Sequence, residues 1–166
     1  MFPNPLHPAI VHLPIALAIL IPGLALLGLG LISRGYLPVS AWGFVVLLQV
    51  LLLGSGWVAL ETGEDQEARI EPIVAESHVE DHEEAAERFL LIAGLGLLAL
   101  GAGLLPERGG TAARVVGVLA SFAVFAAGVS VGHSGGELVY KHGAANAYID
   151  ASAASRADPT RRHTED

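Results

Sequence analysis

Four long apolar segments restrict the fold of this 166-residue chain more than any other feature of its sequence. Each approaches the roughly 20 residues that an α-helix needs to cross the hydrocarbon core of a bilayer. Because lipid offers backbone groups no hydrogen-bond partner, the segments are predicted to be helices rather than strands. The segments are Ala9 to Ile32, Leu37 to Leu60, Phe89 to Leu105 and Ala112 to Gly132.

The composition agrees with a small polytopic membrane protein, since 52% of the residues are hydrophobic. We predict an all-α fold, a four-span antiparallel transmembrane helix bundle formed by residues 1–145, with the lipid bilayer as its partner. Residues 146–166 are polar without apolar periodicity and are predicted to form a flexible tail. The chain contains no cysteine, which excludes disulfides, iron–sulfur clusters and covalently attached c-type haem.

The basic residues of the short loops predict the orientation in the membrane. We call the side that holds the N-terminus, the 61–88 segment and the C-terminus the first side. The opposite, second side carries Arg34, Arg108 and Arg114 against one acid, Glu107. The positive-inside rule therefore places the second side in the cytoplasm of a bacterial inner membrane. Both termini are then expected on the periplasmic or extracellular side.

Acidic residues are concentrated in the segment between the second and third spans. Eleven acidic and two basic residues lie between Glu61 and Arg88, and the whole chain has a formal net charge of −8. Such a segment does not suit nucleic acid as a partner and is most simply a solvated region. The capping-box pattern Ser77-His78-Val79-Glu80 predicts a helix from Ser77 through Leu105. Gly63 is predicted to end the second span.

Six of the seven histidines fall at the first side of the predicted bundle. Imidazole is the commonest protein ligand for haem iron, copper and zinc, so this set is a candidate metal or cofactor site. His12 is the most informative, because an ionisable side chain within an apolar span usually faces the bundle interior. Pro14 leaves the carbonyl of Ile10 without a helical donor, which predicts a bend there. The six are His7, His12, His78, His82, His133 and His142.

His78 and His82 are four residues apart, which places both imidazoles on one face of the predicted helix. The alternative is a solvated acidic helix with incidental histidines. Arg88 follows at the membrane boundary, where it would neutralise an acid such as Glu61 or bind a carboxylate-bearing cofactor.

The end of the fourth span combines glycine, histidine and acidic residues. His133 is expected to close this span, with Glu137 one helical turn later. Gly143 is predicted to stop a short helix in a left-handed conformation and so to present His142 at its end. His163 lies in the predicted tail and is expected to be irrelevant.

The opening Leu6-His7-Pro8-Ala9-Ile10-Val11-His12-Leu13-Pro14 and the late Gly135-Gly136-Glu137-Leu138-Val139-Tyr140-Lys141-His142-Gly143 resemble the bacterial membrane-protein family called domain of unknown function 2231. The resemblance covers roughly residues 5–145. It implies a four-helix membrane domain of unassigned activity. It also implies a redox function, because relatives are sometimes fused to cytochrome c-like modules.

The first functional hypothesis is a small redox module that binds b-type haem through His12, His82 and His133, with Arg88 facing a haem propionate. Its partner would be a cytochrome or another redox protein. The second is a zinc, copper or iron site built from the six histidines with Glu137 or Glu61, for sensing or transport. The third is a structural accessory subunit without a cofactor. No hydrolase motif is present, so an enzymatic role would be that of an electron-transfer component, and homo-oligomerisation is left open.

Overall fold

The computed structural model describes residues 7–105 and 108–148, which form helices and connecting turns with no strand. A short helix, α1, covers His7–Ile10 and is followed by α2, His12–Ser33. A 3-10 turn over Val39–Ala41 leads into α3, Trp42–Ile70. The remaining helices are α4, Glu76–Ala102, and α5, Arg108–Tyr140.

Four of these helices are long and apolar enough to cross a membrane. The all-α four-span bundle predicted from the sequence is confirmed. Helix α2 packs against α3 and α5, and α4 packs against the same two helices. The helices therefore form a ring in which α2 and α4 are diagonal to each other, as are α3 and α5. This arrangement decides which histidines can meet.

Two clusters of buried apolar side chains stabilise the bundle. The main core lies between the four spans and is centred on small or fully buried residues. Many large apolar side chains point outwards and are exposed, which suits a surface covered by lipid. A second, smaller core forms a cap at the first side of the bundle. The cap joins the α3–α4 connection to the end of α5, and its buried members are Val74, Val79, Leu138 and Ala144.

The helix limits differ from the predictions at the first side. Helix α3 does not end at Gly63 but continues to Ile70, so this glycine lies inside a helix. Helix α4 begins at Glu76, one residue before the predicted start, and Ala75 is its N-cap residue with an extended backbone. Ser77 is then already within the first turn, so its hydroxyl cannot cap the helix and the capping box is not used. Residues 77–84 are nevertheless helical, as predicted.

The first span continues through Val11, between α1 and α2. Val11 has helical backbone angles of φ −58° and ψ −21°, and its N–H and C=O keep helical bonds to His7 and Ile15. The prediction for Gly143 is confirmed. Gly143 adopts a positive φ of 74° just beyond the end of α5, in the left-handed conformation expected of a helix stop. The helix that it follows is α5 itself, which continues past His133 to Tyr140 rather than closing at that histidine.

The segment after α5 folds back onto the end of α3. Ala144 is buried in the cap, and the Tyr148 hydroxyl donates a hydrogen bond to Gln66 Oε1 at 2.6 Å. The Arg69 guanidinium lies 5.3 Å from the centre of the Tyr148 ring. Burial raises the pKa of the Tyr148 phenol, and the nearby charge of Arg69 lowers it by less. Residues 149–166, with His163 and most of the predicted tail, lie outside the described residues.

Candidate cofactor site

Two histidines meet across the first-side end of the bundle. The ring centroids of His7 and His82 are 6.5 Å apart, and the ring planes are nearly perpendicular, at 87°. His7 comes from α1, which continues into α2, whereas His82 comes from α4. Because α2 and α4 are diagonal, this pair spans the bundle rather than joining two neighbouring helices.

The ring of His7 is held by one backbone carbonyl. Its Nδ1 lies 2.7 Å from the carbonyl oxygen of Ala59 in α3. A carbonyl oxygen can only accept, so Nδ1 carries the proton and donates this bond. In the neutral ring Nε2 then has a free lone pair. A hydrogen bond from one ring nitrogen, which leaves the other unprotonated, is the usual state of a histidine that binds a metal.

His82 is held in the same tautomer by a serine. Its Nδ1 lies 2.8 Å from Ser134 Oγ in α5. The Ser134 hydroxyl has a single proton, which it donates to the Val131 carbonyl at 3.1 Å. With its proton on the Val131 carbonyl, Ser134 Oγ accepts from His82 Nδ1–H. In this arrangement both inward histidines carry Nδ1 protons, and both Nε2 atoms have free lone pairs in the neutral rings.

Two glycines leave room for these rings. A Cβ atom added at Gly63 in α3 would lie 3.3 Å from Cε1 and Nδ1 of His7. A Cβ added at Gly135 in α5 would lie 3.0 Å from Cε1 of His82. Each ring therefore packs against a helix backbone at a position where a side chain would displace it. Sequence reasoning treated Gly63 as a helix stop and missed this role.

A second pair of histidines lies in the cap. The rings of His78 and His142 are stacked, with centroids 3.8 Å apart and an interplanar angle of 26°. They border a small polar pocket of about 30 Å³ between α4, α5 and the turn after α5. The pocket is lined by His78, Asp81, Ser134, Glu137, Leu138 and His142. Since Ser134 also accepts from His82, the pocket adjoins the inner pair.

The haem ligands predicted from the sequence do not converge. Only His82 of that trio contacts another histidine in the bundle. His12 is exposed on the surface of α2. The His133 side chain is 75% exposed, and its Nε2 lies 3.4 Å from Glu137 Oε1 on the same helix. The expectation that His12, His82 and His133 share one site is therefore corrected.

The charged residues predicted to assist a cofactor also lie at the surface. Arg88 is exposed and forms an ion pair with Glu84 one turn away, so its guanidinium is directed along α4. Glu61 is exposed. Glu137 is ion-paired with Lys141. Arg88 therefore pairs with Glu84 on its own helix and not with Glu61, the partner expected from the sequence.

Across residues 7–105 and 108–148, no three His, Asp or Glu side chains are grouped so that they could hold a metal ion. The inner site is therefore a two-histidine site. His7 belonged to the predicted metal set but not to the predicted haem ligands. Ser134 and Gly135 were not predicted, although the run Gly132-His133-Ser134-Gly135-Gly136 signals close helix packing near the histidines.

Residues 3–148 match the family described as predicted membrane protein (DUF2231). The chain belongs to this family. The match covers both motifs on which the sequence resemblance was based, together with every residue of the two histidine pairs. No curated protein and no solved structure matches this chain.

Proposed function

We propose that this DUF2231 protein is a small membrane redox module that binds b-type haem through His7 and His82. The observation that carries the proposal is the inner pair itself. Two imidazoles from diagonal parts of the bundle lie 6.5 Å apart, each with its Nδ1 proton engaged. His7 thereby takes the place that the sequence hypothesis gave to His12 and His133.

The number of ligands favours haem over a bare metal ion. A structural zinc site takes four protein ligands and a catalytic one three, whereas haem iron needs only one or two because the porphyrin supplies the other four. The inner pair offers two imidazoles, and the stacked rings of His78 and His142 belong to a separate pocket. Two-histidine coordination of iron is thus the metal chemistry that this donor set fits.

The closeness of the two rings supports this assignment. Their centroids are 6.5 Å apart, so His7 and His82 would be the residues that hold the haem iron.

Haem would supply reversible one-electron transfer at this site. The protein residues position the ligands. The Ala59 carbonyl and the Ser134 hydroxyl each accept an Nδ1–H, which fixes the ring orientation and makes Nε2 a stronger electron donor. Gly63 and Gly135 let the rings lie close to α3 and α5.

The location and partners of the module are part of the proposal. The loop arginines support an inner-membrane protein whose histidine-bearing end faces away from the cytoplasm. Its electron partner would be a cytochrome or another redox protein on that side. A reporter that is active only in the cytoplasm, fused at the C-terminus, should be inactive. An active fusion would reverse the orientation and the compartment of the partner.

The spectrum of purified protein tests the haem proposal. We expect protein expressed in haem-replete cells to show a Soret band and sharp α and β bands after dithionite reduction. His7→Ala and His82→Ala should each lose the low-spin spectrum. The matched controls are His12→Ala and His133→Ala, which remove exposed histidines and should keep it.

Several outcomes would contradict this assignment. Loss of the spectrum in His12→Ala with retention in His7→Ala would restore the ligand set expected from the sequence. Protein without haem absorption but with stoichiometric zinc, copper or iron by elemental analysis would favour the metal-ion hypothesis. Protein with neither haem nor metal would favour the structural role.

A further inference from the structure

The segment after α5 crosses the first-side end of the bundle. We call its residues 142–148 the lid. The Tyr148 hydroxyl of the lid donates a hydrogen bond to Gln66 in α3. The ring of His142 stacks on that of His78 in α4. The lid therefore joins the end of α5 to both α3 and α4.

The contacts of the lid lie farther from the membrane than the inner histidine pair. In α3, Gln66 comes three residues after Gly63, on which the His7 ring lies. In α4, which runs from the first side into the membrane, His78 comes four residues before His82. One helical turn rises about 5 Å. The lid thus forms a layer about one turn above the inner pair, on the aqueous side.

The polar pocket of the cap is the space between the lid and His82. Its walls include His142 of the lid and Ser134, whose hydroxyl bonds to His82. The pocket has a volume of about 30 Å³, whereas one water molecule needs about 10–15 Å³. It therefore has room for one or two water molecules. A larger solute can reach His82 from this direction only when the lid moves.

The lid is built as a compact turn that is lightly held. Backbone hydrogen bonds from residues 146–148 to residues 143–145 keep it together. Its apolar anchor in the cap is a small side chain, Ala144. Gly143 joins it to α5 with a φ of 74°, and glycine passes easily between positive and negative φ. A segment with few buried apolar contacts opens at a lower free energy than the core of a bundle.

We propose that residues 142–148 are a hinged lid, which closes the inner histidine pair to water-borne solutes and opens about Gly143 to admit them. The solutes concerned are small soluble ligands, oxidants or reductants that are larger than water. The inference rests on the proposed function, since it takes the inner pair as a binding site. It does not depend on which group the pair binds.

A cysteine introduced below the lid tests the proposal, because the chain has no cysteine of its own. Ser134→Cys places a thiol on the pocket wall beside His82. Tyr140→Cys places one at a side chain that is 90% exposed. We would use mass spectrometry to measure how fast a charged methanethiosulfonate reagent modifies each variant in nanodiscs. With the lid closed, Ser134→Cys should react at least about 100-fold more slowly than Tyr140→Cys.

Two adjacent alanines allow the lid to be released in the Ser134→Cys background. Ala144→Asp brings a charge into the apolar cap, so the lid should open and the modification rate should rise by more than about tenfold. Ala145→Asp is the matched control, because Ala145 is exposed. It should leave the rate unchanged.

Two tyrosines give a milder test that decides the question if Ala144→Asp disturbs folding. Tyr148→Phe removes the hydrogen bond to Gln66 and should raise the modification rate of Ser134→Cys by about two- to tenfold. Tyr140→Phe removes an exposed hydroxyl and should leave that rate unchanged.

Three results would overturn the lid. They are equal rates in the two aspartate variants when both are folded, equal rates in the two phenylalanine variants, and a Ser134→Cys thiol that reacts as fast as Tyr140→Cys. None of these rates requires a cofactor. The expected rates in a protein without haem absorption would keep the lid and refute the haem proposal, and haem absorption with equal rates would do the reverse.

Discussion

Two adjacent glycines of α5 allow the packing of His82 to be tested with an internal control. A Cβ at Gly135 would lie 3.0 Å from Cε1 of His82, whereas a Cβ at Gly136 would have no atom within 4 Å. Both positions are helical, so the higher helix propensity of alanine should stabilise either variant by about 0.5–1 kcal/mol relative to glycine. Gly136→Ala should therefore stabilise the protein by roughly this amount.

In Gly135→Ala the stabilisation from helix propensity should be cancelled by a steric clash with His82. A contact of 3.0 Å is closer than ordinary carbon packing, so the imidazole must move away from α5 and weaken its bond to Ser134. Loss of a hydrogen bond of this kind costs about 0.5–1.5 kcal/mol. The two variants should then differ by about 1–2 kcal/mol, or about 5- to 30-fold in the unfolding equilibrium constant.

Reversible unfolding in mixed micelles, followed by circular dichroism, would measure this difference. The imidazole signals of His82 should shift in Gly135→Ala and stay in place in Gly136→Ala. Equal stabilisation by both variants, with unshifted His82 signals, would refute the packing of His82 against α5.

Other predictions follow from particular contacts. Gln49 is fully buried, and its Nε2 donates to the Ala93 carbonyl while its Oε1 has no hydrogen-bond partner among the described residues. Gln49→Leu should thus be neutral or stabilising in micelle unfolding, and Gln49→Ala should destabilise by about 2 kcal/mol or more through its cavity. The raised pKa of Tyr148 means that its contribution to stability is complete below the unfolded-state pKa, near 10, and is lost as the pH rises through the folded-state value. Tyr148→Phe should abolish this alkaline loss in pH-dependent unfolding.

The membrane-spanning part of the fold was predictable because lipid imposes a strong constraint. About 20 apolar residues in a row have few structural solutions in a bilayer, and the four segments met that condition. The helix ends at the first side were not predictable in the same way. There α3 and α4 continue into water, where Gly63 is tolerated inside a helix and the start of α4 depends on the turn at Ala75.

The sequence indicates that histidines gather at one end of the bundle, but not which of them meet. His7 and His82 do lie close together there. The direction of each side chain depends on the rotation of its helix, which hydropathy does not fix when the outer surface is as apolar as the core. His12 and His133 show the consequence, since both lie at the expected end and both are exposed.

The positions of His7 and His12 along one helix explain why His7 rather than His12 joins His82. Val11 has helical backbone angles, so both histidines belong to a continuous first span from His7 to Ser33. Five residues rotate an α-helix by about 500°, so the two side chains leave the span in directions about 140° apart. The His7 ring lies on Gly63 and bonds to the Ala59 carbonyl, so this side of the span faces α3. His12 is therefore turned away from α3 and is exposed, although it lies at the same end of the bundle.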